Sequence, residues 1–176
     1  MQPYAVFDID GVLADVRHRL HHLERRPKRW DCFFAAAPDD AVLAAGHRLV
    51  QRATAVGLQV VYSTGRPAPY RADTERWLAA SGFPDVPLYM RRAHDRRPGR
   101  LMKLQTARML RDQGSVAFLV DDDPVVVREL RQDGFAVVHA AWMFHAEEPG
   151  PVGSPAAGAP ESAQGVLFDA QEAGDV

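Results

Sequence analysis

Val6-Phe7-Asp8-Ile9-Asp10-Gly11-Val12-Leu13 closes a short apolar run, Tyr4 to Ile9, with two carboxylates and a glycine. The run predicts a buried strand, and Gly11 its exit turn. Two carboxylates two residues apart at the end of a strand can converge on one loop mouth. Placed together they repel unless a cation or a proton separates them. The stretch therefore asks for a metal, a shared proton or both. Asp-x-Asp-Gly is also an ordinary loop composition, so the choice rests on what the remaining chain brings to the same place.

Outward from this strand, helices and strands alternate. A polar, His-rich segment from Ala14 to about Arg29 has a narrow apolar edge, Leu20 and Leu23, which suits a short helix. Trp30-Asp31-Cys32-Phe33-Phe34 forms an aromatic knot. Pro38-Asp39-Asp40 predicts a helix start with an acid in the capping region, the helix running to about Val56 with Val42, Leu43, Leu49 and Val50 buried. Leu58 to Tyr62 predicts a second strand, ending in Ser63-Thr64-Gly65-Arg66. A helical segment from Pro67 is broken at Ser81-Gly82-Phe83-Pro84, and a third strand runs from Val86 to Met90. Leu101 to Asp112 predicts a helix with Leu101, Leu104 and Leu110 on one side. Val116 to Val120 is a fourth strand ending in Asp121-Asp122-Asp123, with Asp123 as N-cap and Pro124 at the first helical position. Phe135 to His139 is a fifth strand, and Trp142, Met143 and Phe144 are expected to pack.

The alternation predicts the α/β class, a Rossmann-like parallel sheet flanked by helices. Such sheets bind ligands at the carboxyl ends of their strands. Asp8 and Asp10, Thr64, and Asp121 to Asp123 all fall at such ends.

Charge is distributed unevenly behind a net −2. One basic cluster holds Arg17, Arg19, Arg25, Arg26, Lys28 and Arg29, and a second holds Arg91, Arg92, Arg96, Arg97, Arg100 and Lys103. From Glu147 onward there are six acids and no Lys or Arg. Two basic clusters favour an anionic partner, a phosphate or a nucleic acid, although a solvated basic surface has the same composition. The single cysteine, Cys32, excludes a disulfide framework and a Cys-rich zinc site. With no leader-type apolar stretch and no run of membrane-spanning length, a cytoplasmic protein with no membrane partner is expected.

The strand-end groups also share a chemistry. Carboxylates with water make the hard oxygen shell that Mg²⁺ prefers. Lys103 can neutralise a phosphate or a crowded carboxylate, and Thr64 can donate to a phosphoryl oxygen. The set suits phosphoryl transfer, in which positioning and charge stabilisation dominate.

Asp8-x-Asp10-Gly11-Val12, Thr64, Lys103 and Asp121-Asp122 resemble, in order and spacing, the four motifs of the haloacid dehalogenase superfamily of phosphatases. The resemblance covers residues 4–139 and implies that fold with a minimal cap. It implies Asp8 as nucleophile, Asp10 as general acid and then base, Thr64 as phosphoryl ligand and Lys103 as bridge. It also implies Mg²⁺ on Asp8, the Asp10 backbone carbonyl and Asp122, with Asp121 alongside.

Ser63-Thr64-Gly65-Arg66, Leu88-Tyr89-Met90-Arg91, Asp95-x-Arg97, Leu101-Met102-Lys103 and Val116-x-x-Leu119-Val120-Asp121-Asp122 are similar to the 3′-phosphatase domain of polynucleotide kinases. Trp30-Asp31 is similar to an aromatic-Asp element there. This narrower resemblance implies removal of 3′-phosphate from nucleic-acid ends, with Gly65, Arg66, Arg91 and Arg97 joining Thr64 in phosphate and substrate binding. Asp123 departs from it, standing where a basic residue is more usual, and the chain has no P-loop motif. A small-molecule or nucleotide phosphatase of the superfamily and a non-catalytic nucleic-acid-binding or adaptor protein are the alternatives.

Residues 14–37 leave room for only a small lid, so the site is expected to be open. His18, His21 and His22 read as a partly solvated cap segment, lacking carboxylate or Cys partners for a metal. Trp30, Phe33 and Phe34 read as core, with stacking on a base as the other reading. Residues 1–146 are expected to form the phosphatase domain and 147–176 a disordered acidic tail. In that tail Gln164-Gly165-Val166-Leu167-Phe168 resembles peptides that dock on bacterial DNA sliding clamps through Gln164, Leu167 and Phe168.

Overall fold

β1 (Tyr4–Phe7) is the middle strand of a parallel sheet. In this computed structural model, residues 2–24 and 26–144 are described. After β1 come β2 (Ala14–Asp15), α1 (His21–Glu24), α2 (Trp30–Ala35), β3 (Ala41–Val42), α3 (Ala44–Ala55), β4 (Gln59–Pro67) and α4 (Arg71–Ala80). β5 (Leu88–Arg91), α5 (Gly99–Gln113), β6 (Val116–Asp121), α6 (Pro124–Gln132) and β7 (Val137–His139) complete the order. The five-stranded sheet runs β5-β4-β1-β6-β7, with every pair parallel.

Period-two alternation sorts the strand side chains between two cores. Ala5 and Phe7 of β1 join Tyr62, Phe118 and Val120 on one face, under Val50 of α3 and Trp77 of α4. Val6 joins Val61, Leu119 and Val137 on the other, under Leu110 of α5 and Val126 and Leu130 of α6. Both faces of the sheet are therefore covered, as its continuous apolar strands require.

Residues 14–43 make the cap: a β2–β3 antiparallel hairpin with α1 and α2. Val16, Phe33 and Met143 give it a small core of its own, with Leu20, Leu23, Phe34 and Leu43 packed around them.

The structure corrects the sequence reading at several places, and Val42 and Trp30, expected to be buried, are exposed. The helix expected from Pro38-Asp39-Asp40 starts later: a 3₁₀ turn (Ala37–Asp39) leads into β3, and α3 begins at Ala44. The chain is diverted because Asp40 is drawn inside by two arginines, described below, and Leu43 N donates to Leu13 O at 2.8 Å. β4 extends through Pro67, so Ser63 to Arg66 lie within the strand. The buried stripe of α5 is Met102, Lys103, Thr106, Ala107 and Leu110, leaving Leu101 exposed. A lysine on that stripe shifts the phase, because carboxylates at the sheet edge take its charge. Phe144 is 67% exposed, whereas Met143 packs as expected. Asp123 does cap α6, accepting from Val125 N at 2.8 Å.

No helix among the described residues is long and apolar enough to cross a membrane. The tail 147–176, including the Gln164, Leu167 and Phe168 docking peptide, lies outside the described residues.

Candidate active site

β4, β1 and β6 are adjacent, so their carboxyl ends open onto one place. Asp8 directly follows β1 and is still in register, its N donating to Val120 O at 3.0 Å. Alternation puts it on the face of Val6, the α5 side. There Lys103 Nζ donates to Asp8 Oδ2 and to Asp121 Oδ2, each at 2.6 Å. Asp8 Oδ1 accepts from Ile9 N at 2.8 Å, which fixes the carboxylate plane. Asp121 Oδ1 accepts from Asp123 N at 3.1 Å.

Asp8, Asp121 and Asp122 offer carboxylate oxygens that all lie within 4.8 Å of one another. Burial pushes the Asp8 carboxyl up to about 8; Lys103 opposes this, while Asp121, Asp122 and Asp10 add to it. Burial likewise raises Asp122 to about 6, with Asp121 adding and Lys103 opposing. Burial disfavours the Lys103 ammonium, but Asp8 and Asp121 outweigh it and hold the proton beyond the ordinary lysine range. One lysine thus leaves the three carboxylates short of positive charge. Hard oxygen donors in charge excess fit a divalent cation. Gly11 makes this crowding possible: it has φ +76°, and a Cβ there would meet Asp122 Oδ2 at 2.2 Å. A side chain at position 11 would evict Asp122.

Asp10 belongs to a second group. Its side chain turns from the three carboxylates to two guanidiniums. Arg66 Nε and Nη2 donate to Asp10 Oδ1 at 2.9 and 2.6 Å, and Arg19 Nη2 donates to the same oxygen at 2.7 Å. Both arginines also hold Asp40: Arg19 Nε to Oδ1 and Nη2 to Oδ2 at 2.6 Å each, and Arg66 Nη2 to Oδ2 at 2.8 Å. His18 Nε2 lies 2.8 Å from Asp40 Oδ1, and Trp77 Nε1 donates to the Asp40 carbonyl at 2.8 Å. Arg19, Arg66 and Asp40 are buried. Two positive and two negative groups therefore form a closed quartet. Burial would raise the Asp10 carboxyl, but Arg66 and Arg19 overcome it and hold Asp10 below the usual carboxylate range.

Arg66 Nη1 and Ser63 Oγ are buried with no protein partner. Unpartnered buried donors are costly, and an acceptor reaching Arg66 Nη1 would satisfy it. Thr64 is fully buried, and its Oγ1 accepts from Arg66 N at 3.3 Å.

Seven of the residues singled out in the sequence, Asp8, Asp10, Thr64, Arg66, Lys103, Asp121 and Asp122, thus meet at one sheet edge. Arg91 is spent on the loop beside them: Nε donates to Gly65 O at 3.2 Å, and Nη1 to the carbonyls of Asp95 and Arg97. Arg97 forks onto Asp95, with Nη2 to Oδ2 at 2.6 Å, and holds that carboxyl below its usual range. Both arginines order the 91–98 loop that borders Gly65.

Sequence reasoning missed Arg19 and Asp40. Arg19 sat among six cationic residues and read as surface. Asp40 read as a cap. Neither carried a local signal, since the partners that bury them are 9 to 37 residues away along the chain.

The family model described as "Polynucleotide kinase PNKP phosphatase domain" matches residues 3–142. A chain of the structure described as "Structure of Pnkp1/Rnl/Hen1 complex" is 26% identical with a TM-score of 0.63, covering 79% of this chain and 45% of that one. A chain of "Structure of the Pnkp1/Rnl/Hen1 RNA repair complex" is 25% identical with a TM-score of 0.64, covering 78% and 42%. The chain thus spans less than half the length of these two relatives. The class C acid phosphatase from Bacillus anthracis with tungstate bound shares the fold, at 11% identity and a TM-score of 0.59 over 96% of this chain and 78% of that one. No curated protein matches the sequence.

Proposed function

This chain belongs to the family of polynucleotide kinase PNKP phosphatase domains, within the haloacid dehalogenase superfamily, and from that premise we propose that it is an Mg²⁺-dependent phosphomonoesterase removing 3′-phosphate from nucleic-acid ends. One observation carries the reading. A carboxylate gripped by lysine, Asp8, sits next to a carboxylate gripped by two arginines, Asp10, with an unpartnered guanidinium N–H at Arg66 beside them. The description of one relative as part of an RNA repair complex supports a nucleic-acid end as substrate.

Asp8 attacks phosphorus, forming a bond from its carboxylate oxygen as the bond to the departing 3′ oxygen breaks. Asp10 delivers the proton that the leaving alkoxide needs. In the second half, water attacks the aspartyl-phosphate, Asp10 takes the proton, and Asp8 is freed with inorganic phosphate. Lys103 steadies Asp8 and neutralises a phosphoryl oxygen, and Thr64 and Arg66 hold the others. Asp8, Asp121 and Asp122, with the Asp10 carbonyl, would hold the Mg²⁺, which when bound neutralises charge on the transferring group.

Asp10 must be protonated to act as an acid, whereas its two arginines favour the carboxylate. An arriving phosphoryl group draws on Arg66 through its free Nη1 and brings negative charge to the same place. Both effects return the proton to Asp10 when substrate is bound.

The test is phosphate release from 3′- and 5′-phosphorylated oligonucleotides, mononucleotides and sugar phosphates, with and without Mg²⁺. We expect release from 3′-phosphorylated oligonucleotides, dependent on Mg²⁺ and abolished by Asp8→Asn. Release untouched by Asp8→Asn would refute the site. Activity confined to sugar phosphates would replace the substrate assignment.

A further inference from the structure

Three aromatic rings sit beside this site in an arrangement that the chemistry above does not use. Trp30 opens α2 and is 47% exposed, although it is the largest side chain of the cap. Its ring lies nearly parallel to Phe34, at 5.8 Å and 21°. Phe34 in turn meets Tyr70 at 5.6 Å. Tyr70 Oη donates to the Asp31 carbonyl at 3.3 Å, joining the cap to the turn that follows β4.

Both ends of this group are tied to the catalytic edge. Tyr70 follows Arg66 by four residues. On the cap side, Trp30 meets Phe33 edge-on at 5.8 Å. The Arg19 guanidinium lies 4.0 Å from the Phe33 ring centroid, donates to the Phe33 carbonyl at 3.2 Å, and holds Asp10. One buried arginine thus connects the aromatic group to the carboxylate facing the leaving group.

The charge beside Trp30 has the sign of a nucleic-acid partner. Lys28 Nζ lies 5.5 Å from its ring centroid. Arg26, Lys28 and Arg29 are exposed, whereas Arg17 is neutralised by Asp15 and Arg19 is buried. Among the described residues of the cap's basic cluster, the exposed charge therefore lies on the segment that leads into Trp30. An exposed indole beside free cations is the pairing that takes up single strands, bases stacking while the backbone meets positive charge.

We propose that Trp30 is a stacking platform for the base of the 3′-terminal nucleotide, with Lys28 and Arg29 facing the adjoining phosphodiester. The proposal rests on the 3′-phosphatase reading above and adds to it a preference for an unpaired terminal base.

The experiment compares wild type, Trp30→Ala and Trp30→Phe on three substrates. These are a single-stranded 3′-phosphorylated oligonucleotide, the same oligonucleotide with an abasic terminal residue, and p-nitrophenyl phosphate at high concentration. Trp30→Ala is expected to raise KM for the first substrate about 5- to 150-fold, with kcat nearly unchanged. Trp30→Phe should recover most of that loss. The abasic substrate should cost wild type the same factor and cost Trp30→Ala nothing further. Hydrolysis of p-nitrophenyl phosphate should be equal in all three proteins.

Unchanged KM in Trp30→Ala would overturn the platform while leaving the phosphatase reading intact. An equal loss on p-nitrophenyl phosphate would do the same, by showing a structural role. Wild type inactive on both oligonucleotides would overturn the two together.

Discussion

Asp40 shows how much of the site depends on a side chain with no solvent contact. Its carboxylate and that of Asp10 balance Arg19 and Arg66, and its backbone carbonyl takes the Trp77 indole N–H. Removing one charge from a buried, matched set leaves a cation uncompensated, at about 3–5 kcal/mol. Asp40→Asn is therefore expected to lower urea stability by about that amount. It should also reduce phosphatase activity, because both arginines lose the anchor that aims them at Asp10. Wild-type stability in that variant would mean that the quartet is not a closed electrostatic unit. Asp8, Asp10, Thr64 and Asp121-Asp122 were legible in the sequence because each ends a strand that its own neighbours define, whereas Lys103 was singled out by the order and spacing of the motifs it resembles. Arg19 and Asp40 were not, because their importance is mutual. An arginine among basic residues and an aspartate after a proline look like solvated groups until folding presents them to each other.

At the scale of elements, the loop after β1 is positioned by α3. Gly46 lies so close that a Cβ there would meet the Val12 carbonyl oxygen at 2.0 Å. Backbone against backbone leaves no flexible side chain to yield. Gly46→Ala is expected to destabilise by roughly 1–3 kcal/mol despite the better helix propensity of alanine. Since Val12 follows Asp10-Gly11, the same change should lower kcat, read by phosphate release alongside thermal unfolding. A variant as stable and active as wild type would show that α3 can move away freely. The alternation of strands and helices was readable because apolar runs and glycine breaks are local. The phase of α5 was not. Its three leucines suggested one buried side, whereas Lys103 occupies the stripe because Asp8 and Asp121 bind it. Leu110 is buried with it, while Leu101 and Leu104 instead border a surface groove of about 600 Å³ with Arg97, Gln105 and Arg108.

For the whole molecule, the sheet edge stores carboxylate repulsion that Lys103 only partly offsets. A cation binding the folded but not the unfolded chain stabilises the former by mass action, about 2.7 kcal/mol at a hundredfold excess over Kd. Millimolar Mg²⁺ should raise the midpoint of thermal unfolding by about 5–10 °C. Asp122→Asn should remove most of that shift while unfolding no earlier in chelator, because the substitution also removes a crowded charge. An equal Mg²⁺ shift in both proteins would place the ion elsewhere. The sequence by itself determined the strand order of appearance, the parallel sheet and the identity of the motif carboxylates, because these depend on local hydrophobic period and on spacing. Only the tertiary structure decided what Asp8-Ile9-Asp10-Gly11 does with its two charges. Folding sends Asp8 to the lysine side and Asp10 to the arginine side, since α5 supplies the lysine and β4 and the cap supply the arginines.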